Sequence, residues 1–142
     1  MPTVKNPRSM VDMSATLIHH GHIRLLKHAS SLGTVVVGLT TDSEILEKKG
    51  YVPEMNYHER EEVLLAIRFV DTVVPSPWLL DQSFLDKHKI DYLLHGHDNS
   101  NDVDYNRTII VPRTNGISSS DLRLRAASIV AKSQKHRGNC ND

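Results

Sequence analysis

Short apolar runs alternate with amphipathic segments along the chain. The run TVVVGLT at 34–40 is a continuous series of mostly β-branched residues, which is typical of a strand buried on both faces of a parallel sheet. Four other runs have similar length and composition. Together they predict five strands, at 9–14, 34–40, 71–75, 91–96 and 108–112.

The segments between these runs predict helices. From Glu59 onward, Val63, Ile67 and Val70 recur at i, i+4 and i+7, the spacing of one helix face. The other predicted helices lie at 22–31, at 81–89 and from about 119 to 134, and 42–58 is predicted as a short helix followed by a long loop. The last helix carries apolar residues on one side: Leu122, Ala126, Ile129 and Val130.

The resulting order is β-α-β-α-β-α-β-β-α, which predicts an α/β fold with a doubly wound, mostly parallel five-stranded sheet and helices on both faces. The length of 142 residues suits a single domain over 1–142, with an ordered core at 9–134 and tails at 1–8 and 135–142. Ligands of such sheets bind beyond the carboxyl ends of the strands. Three unusual stretches follow strands and should face one crevice: HHGH, HGHD and RTNGISSSD.

Composition narrows the classes of partner. The chain has 17 Lys and Arg residues and 17 Asp and Glu residues, so a basic face that binds nucleic acid electrostatically is not expected. Binding of a small anionic ligand remains possible, because it needs only a local cluster of suitable side chains. No apolar run approaches the length of a membrane span. The single cysteine, Cys140, cannot build a disulfide framework and fits a reducing compartment, so we expect a cytoplasmic protein.

The serine-rich stretch after the fifth strand suggests phosphate binding. Ser118, Ser119 and Ser120 precede a helix, Asp121 lies in its first turn, and Gly116 allows a tight turn before it. A helix N-terminus offers free N–H groups and a partial positive charge, and hydroxyls add further donors. Plain N-capping by Ser118, in a capping box with Asp121, is the alternative, and the two roles are compatible.

The histidines after the first strand have three interpretations. His19 and His22 flank the start of a helix, so both side chains can point into the crevice and donate to one phosphate, with His20 facing away. They could instead be solvated residues at a loop end. Zinc is the third possibility, since His95, His97 and Asp98 at the neighbouring strand end could supply the third and fourth ligands.

These stretches together resemble the nucleotidyltransferase superfamily. HHGH matches its HxGH motif and RTNGISSSDLR resembles its RTxGIST motif. Residues 45–74 resemble its basic loop, its ER-containing helix and its RYVDxV strand. The resemblance covers roughly residues 10–130 and is strongest to the cytidylyltransferases of the glycerol-3-phosphate and phosphoethanolamine type.

The resemblance implies a Rossmann-like fold, a homodimer, Mg²⁺ as cofactor, and transfer of CMP from CTP to a small phosphorylated or phosphonate acceptor with release of pyrophosphate. It makes His19, His22, Lys48 and Lys49 the catalytic residues. Nucleotide contacts are expected from Ser14, Ala15, His19, His22, His95, Asp98, Arg113, Thr114, Gly116, Ile117, Ser118, Ser119 and Ser120. Arg60, Arg68 and Trp78 are candidates for acceptor binding.

Several of these roles have structural alternatives. Lys48 and Lys49 could be part of a solvated loop, Arg60 and Arg68 could pair with carboxylates, and Trp78 could belong to the core. An adenylyltransferase of the same superfamily that uses ATP is the nearest rival function.

Position 16 departs from the family pattern. The family has Asp three residues before the first motif histidine, and here that residue is Thr16. A hydroxyl is a poor ligand for a hard cation, so either Asp98 holds the metal or the domain is a weakened nucleotide-binding module. A second departure is HGHD, where the family has a GxD pattern.

Overall fold

A computed structural model describes residues 4–96 and 100–139, with the side chains of the last helix described as far as residue 136. Five parallel strands form one sheet in the order β3-β2-β1-β4-β5. The strands are β1 Arg8–Met13, β2 Thr34–Thr40, β3 Thr72–Ser76, β4 Tyr92–His95 and β5 Thr108–Ile110. The doubly wound α/β prediction is confirmed, and the sheet is parallel throughout.

Helices cover both faces of the sheet. They are α1 His20–Leu32, α2 Asp42–Lys49, α3 Tyr57–Leu65, α4 Gln82–Lys87 and α5 Ser119–Asn139, with a 3₁₀ turn at Tyr105–Arg107 before β5. Alternate strand residues enter two cores: Val11, Val37 and Leu94 pack with α1 and α3, whereas Met10, Val36 and Leu93 pack with α4. Within the described ranges, no helix has the length and apolar composition needed to cross a membrane.

The strand order reverses beside β1, because β2 lies on one side of it and β4 on the other. Such a switch point opens a crevice at the carboxyl edge, since the two connections leave β1 and β4 in opposite directions. The loops after β1, β4 and β5 therefore meet at this edge, as the sequence predicts.

Helix α3 differs from its prediction in length and in its buried face. It begins at Tyr57, because Asn56 and Glu59 form a reciprocal capping box. It ends at Leu65, and the following Ala66 N–H is shared between the carbonyls of Glu62 and Val63. Its buried residues are Arg60 and Leu64, whereas Val63 is exposed. The prediction that Val63, Ile67 and Val70 form one helix face was wrong, because Ile67 and Val70 belong to the turn that leads into β3.

Helix α5 is longer than predicted, since it continues through residues 135–139. Those residues are polar, but polar composition alone does not end a helix. From Leu124 to His136 every side chain is exposed, including 66% of Ile129 and 55% of Val130. The predicted apolar side of α5 therefore does not pack on the core of this chain.

Candidate active site

A cavity of about 690 Å³ lies over the carboxyl edge of the sheet. It is lined by the loop after β1, the N-terminus of α1, the end of β4 and most of the segment from Val111 to Ser120. Lys49 at the end of α2, Tyr51 in the loop after it and Trp78 after β3 also line it. The three predicted stretches thus do meet in one crevice, although His97 and Asp98 lie outside the described residues.

His19 and His22 cap the first turn of α1 reciprocally. The Gly21 N–H donates to Nδ1 of His19 over 3.0 Å, and the His19 N–H donates to Nδ1 of His22 over 3.2 Å. The two ring centroids are 4.0 Å apart. A backbone N–H can only donate, so both Nδ1 atoms carry lone pairs and the neutral rings carry their protons on Nε2. Each imidazole is therefore a fixed Nε2–H donor at the crevice.

Both imidazoles are held neutral near physiological pH. Burial is the main reason that the pKa of His22 falls to about 4, with His19 contributing a smaller electrostatic effect. The pKa of His19 is also lowered, first by burial and then by the neighbouring charges of His20 and Arg113. A polyanionic ligand would oppose these effects, because it favours the charged imidazolium.

Gly21 is required by the ring of His19. A Cβ atom at this position would lie 2.8 Å from Cε1 and 2.9 Å from Nδ1 of His19, closer than real Cβ contacts. The glycine between the two motif histidines thus leaves room for the capping imidazole. His20 is exposed and does not line the cavity, which agrees with its predicted outward orientation.

The N-terminus of α5 lies across the crevice from the histidines. Ser118 accepts the Asp121 N–H over 3.0 Å and is the N-cap, and Gly116 makes the preceding turn at φ 78°. Ser119 donates to the Leu17 carbonyl over 2.9 Å. Capping and crevice lining therefore coexist: Ser118, Ser119 and Ser120 line the cavity, although the first two hydroxyls also bond to backbone groups.

Several residues that were predicted to contact the nucleotide lie in the loop after β1 and in the segment before α5. Ala15 turns the chain at φ 46°, a left-handed conformation uncommon for alanine, and is buried. The residues of this set that line the cavity are Ser14, Ala15, His95, Arg113, Thr114 and Ile117. Gly116 does not line the cavity, and its part in the site is to make the turn that precedes α5.

Asp12 was not found by sequence reasoning, although a carboxylate inside the apolar run at 9–14 was a signal. Its Oδ1 lies 2.6 Å from Nδ1 of His95, and its Oδ2 accepts from the Asn101 amide over 3.2 Å. The Leu80 N–H donates to the same Asn101 side chain over 2.7 Å. Asp12 therefore joins β1 to the end of β4 and to the segment near residue 101.

Thr16, the residue that departs from the family pattern, lines the crevice and contacts Arg123 behind it. Thr16 is 2% exposed, and its hydroxyl accepts from Nη2 of Arg123 over 3.2 Å. Arg123 also binds Glu54 with two nitrogens. Glu54 and Arg123 are 69 positions apart in the sequence, so no local pattern could predict that they bind each other.

Lys48 and Lys49 were predicted to lie in a mobile loop, but both belong to the last turn of α2, and they differ in placement. Lys49 lines the cavity, and its Nζ lies 5.5 Å from the centroid of the Trp78 ring. Lys48 is exposed and does not line the cavity. Trp78 is partly buried and lines the cavity, as its proposed acceptor role requires.

Arg60 has a structural placement and does not line the crevice. Its guanidinium is fully buried and donates to the carbonyls of Ser14 and Thr40 over 2.6 and 2.9 Å and to Oδ1 of Asp42 over 2.6 Å. The acceptor-binding prediction for Arg60 is contradicted, because these bonds and its burial leave the group no access to a ligand. Arg68 is exposed outside the cavity, with its guanidinium 5.0 Å from the Phe69 ring, so it does not reach the acceptor region either.

A metal ion would have few protein ligands here. Among the described residues, no group of three or more His, Cys, Asp or Glu side chains is placed to hold one. The only carboxylate among the described lining residues is Asp12, whose oxygens already bond to His95 and Asn101. This donor set does not form a metal cage, but it is compatible with Mg²⁺ carried mainly by substrate phosphates and water.

Comparison with known proteins identifies the family. The sequence profile of the family described as Cytidylyltransferase-like matches residues 14–125, most of the chain and nearly all of the crevice. The chain belongs to the cytidylyltransferase-like family. The predicted resemblance is thereby confirmed.

Curated relatives of this cytidylyltransferase-like chain fall into two length classes. It is 36% identical over 118 residues to an ethanolamine-phosphate cytidylyltransferase of Mus musculus, covering 75% of this chain but only 29% of that protein. It is 34% identical over 115 residues to a glycerol-3-phosphate cytidylyltransferase of Staphylococcus aureus, covering 75% of this chain and 85% of that protein. The chain thus spans less than a third of the first relative and most of the second.

A solved structure supports the fold. The lipopolysaccharide core biosynthesis protein of Thermoplasma volcanium superposes with a TM-score of 0.64 at 19% identity, covering 77% of this chain and 98% of that one. The likeness confirms the Rossmann-like arrangement of the cytidylyltransferase-like chain.

Proposed function

We propose that this chain transfers CMP from CTP to a small phosphorylated or phosphonate acceptor and releases pyrophosphate. The observation that carries the proposal is the pair of neutral imidazoles whose Nδ1 atoms are occupied by helix capping, which fixes two Nε2–H donors in the cavity that the α5 N-terminus also lines. The names of the relatives, ethanolamine-phosphate and glycerol-3-phosphate cytidylyltransferase, support CTP and a phosphate acceptor.

The reaction needs positioning and charge stabilisation more than proton transfer. An ionised phosphate oxygen of the acceptor attacks the α-phosphorus of CTP, the new P–O bond forms, and the bond to the β-phosphate breaks as pyrophosphate leaves. No general base is required because the attacking oxygen is already ionised. The barrier comes from repulsion between anions and from crowding at phosphorus, which fixed donors lower.

The nucleotide would lie between the two helix N-termini. His19 and His22 would donate Nε2–H bonds to oxygens of the α- and β-phosphates as charge develops there. Free N–H groups at the start of α5 and the Ser120 hydroxyl would hold the β- and γ-phosphates. Arg113 supplies a planar guanidinium for the phosphates or the base.

The acceptor would enter from the side of Trp78. Lys49 and Trp78 lie together at that end of the cavity, so an acceptor phosphate would meet an ammonium group beside an aromatic wall. Mg²⁺ would enter with the triphosphate and supply further charge neutralisation, since Asp12, the carboxylate among the described lining residues, already bonds to His95 and Asn101.

Pyrophosphate release tests the proposal. The purified chain is incubated with each nucleoside triphosphate, Mg²⁺ and a panel of acceptors: glycerol phosphate, ethanolamine phosphate, choline phosphate and an aminoalkyl phosphonate. We expect turnover with CTP and one acceptor class. CTP binding without turnover for any acceptor would instead indicate a weakened nucleotide-binding module, and preference for ATP would indicate an adenylyltransferase.

The resemblance also leads us to propose a homodimer. Sedimentation equilibrium of the purified chain measures this directly, and a mass of one chain at micromolar concentration would contradict it.

A further inference from the structure

Arg123 contacts three residues that lie in two separate segments beside the crevice. Its Nε and Nη2 both donate to the Glu54 carboxylate, the latter over 2.9 Å, and Nη2 also donates to Thr16 Oγ1 over 3.2 Å. Its guanidinium lies 4.4 Å from the centroid of the Tyr51 ring. One side chain on the second turn of α5 thus joins the loop after β1 and the loop after α2.

The loop after α2, residues 50–56, lies at one side of the crevice. Lys49 immediately precedes it, Tyr51 lines the cavity, and Gly50 adopts a left-handed φ of 79° where α2 ends. The end of the loop near α3 is held elsewhere, because Arg60 Nε donates to the Met55 carbonyl over 3.0 Å. Of the side-chain hydrogen bonds described, those that reach residues 50–54 come from Arg123.

The contact of Arg123 with Glu54 and Tyr51 has a geometry that stabilises the position of the loop. Exposed ion pairs usually contribute little, but a bidentate Arg–carboxylate pair combined with an aromatic face is an exception. The pair is about one-third exposed on each side. The hydrogen bond from Arg123 also lowers the pKa of Glu54, so the carboxylate remains ionised through the neutral range.

We infer that Arg123 is a positioning residue that holds residues 50–54 over the crevice and thereby places Lys49 and Tyr51 at the ligand. The hydroxyl at position 16 is part of this arrangement. Thr16 gives Arg123 a neutral acceptor, which leaves its charge to be met by Glu54. A carboxylate placed at position 16 would compete with Glu54 for the same guanidinium and would loosen the loop.

Trypsin cleavage after Lys48 and Lys49 reports loop opening without any ligand. Arg123→Gln and Glu54→Gln should each raise the cleavage rate about two- to five-fold, the range expected for loss of a well-formed exposed pair. The double variant should match the single ones, because both remove the same contact. Thr16→Asp should also raise the rate. Lys132→Gln, an exposed change farther along α5, should not.

The charge-exchanged variant, Arg123→Glu with Glu54→Arg, separates positioning from a general folding defect. Cleavage after Lys48 and Lys49 should be at least partly suppressed again, while far-UV circular dichroism stays unchanged. Fragment masses separate these cuts from cleavage at position 54, where Glu54→Arg adds a trypsin site. Equal cleavage rates for Arg123→Gln, Glu54→Gln and Lys132→Gln would overturn the inference.

The kinetic consequence rests on the proposed function. If the loop closes less readily, the KM for CTP or acceptor should rise by a similar factor while kcat changes less, since the closed complex still forms at saturation. Faster cleavage in a chain without turnover would uphold the positioning role and contradict the transferase proposal. If both variants turn over substrate with unchanged cleavage rates and unchanged KM, the transferase proposal is upheld and the positioning role of Arg123 is contradicted.

Discussion

We assign two tasks to each of His19 and His22, one for each ring nitrogen. Nδ1 caps the helix, and Nε2–H is left to act as a donor at the crevice. Alanine substitution would remove both tasks, so a loss of activity could come from an unfolded helix turn. Asparagine offers a side-chain oxygen that can accept the capping N–H but places no donor where Nε2 lies.

We therefore expect His22→Asn to separate the two tasks. Turnover should fall by about 10²–10³-fold, as for the loss of a fixed donor to a developing charge. The midpoint of thermal unfolding should stay close to that of the wild type, whereas His22→Ala should lose about 1 kcal/mol with the cap. Full turnover in a stably folded His22→Asn variant would exclude His22 as a phosphate ligand.

The depressed pKa of His22 predicts how stability depends on pH. The unfolded chain takes up a proton at His22 near pH 6.5, but the folded chain does so only near pH 4. The unfolded state binds more protons in this window, so stability should fall as the pH decreases from 6.5 to 4. Urea unfolding at several pH values measures this slope, and it should be shallower in His22→Asn. An identical slope in both proteins would contradict the assignment.

At the scale of the element, Gly21→Ala should reduce activity without reducing stability. Alanine favours a helix interior by up to about 1 kcal/mol over glycine, but its Cβ would push the His19 ring away from its capping position. We expect turnover to fall at least ten-fold with an unfolding midpoint near that of the wild type. Lys27→Ala, an exposed change on the same helix, is the control and should keep full activity.

Arg60 illustrates how a buried charge can organise several elements. It ties the ends of β1 and β2 to Asp42 in the first turn of α2. Arg60→Met should destabilise the fold by about 3 kcal/mol or more, since buried carbonyls lose their donors and Asp42 loses its partner. Denaturant unfolding tests this. Unchanged stability with a raised acceptor KM would restore the acceptor-binding role.

Local sequence signals predicted the strands and most helix positions because each depends on neighbouring residues. The five apolar runs became the five strands, and the three stretches at strand ends lie together because parallel strands share one carboxyl edge. The end of α3 and the length of α5 were predicted less well. Both depend on where tertiary packing begins or stops, which apolar spacing does not show.

At the scale of the whole molecule, contacts between distant residues could not be predicted. Asp12 with His95 and Glu54 with Arg123 are pairs separated by 83 and 69 residues. Each depends on how loops fold back over the sheet edge. The motif residues could be recognised locally, whereas the side chains that hold them in place required the structure.

Ligand binding should stabilise the whole fold selectively. CTP at about 100 times its Kd should add about 2.7 kcal/mol to the free energy of unfolding, and ATP should add less at equal concentration. Thermal unfolding with each nucleotide tests the preference. Equal shifts for all nucleotides would contradict selective recognition of the cytosine base.

The most direct test of the central claim is the imidazole ¹⁵N spectrum of His19 and His22, recorded against pH with and without CTP. Without nucleotide, both rings should be neutral Nε2–H tautomers near pH 7, with the pKa of His22 far below 6.5. With CTP, both Nε2 signals should shift and both pKa values should rise, because the phosphates accept those N–H bonds. Unchanged signals at saturating CTP, or an Nδ1–H tautomer in the free protein, would contradict the role assigned to the two histidines.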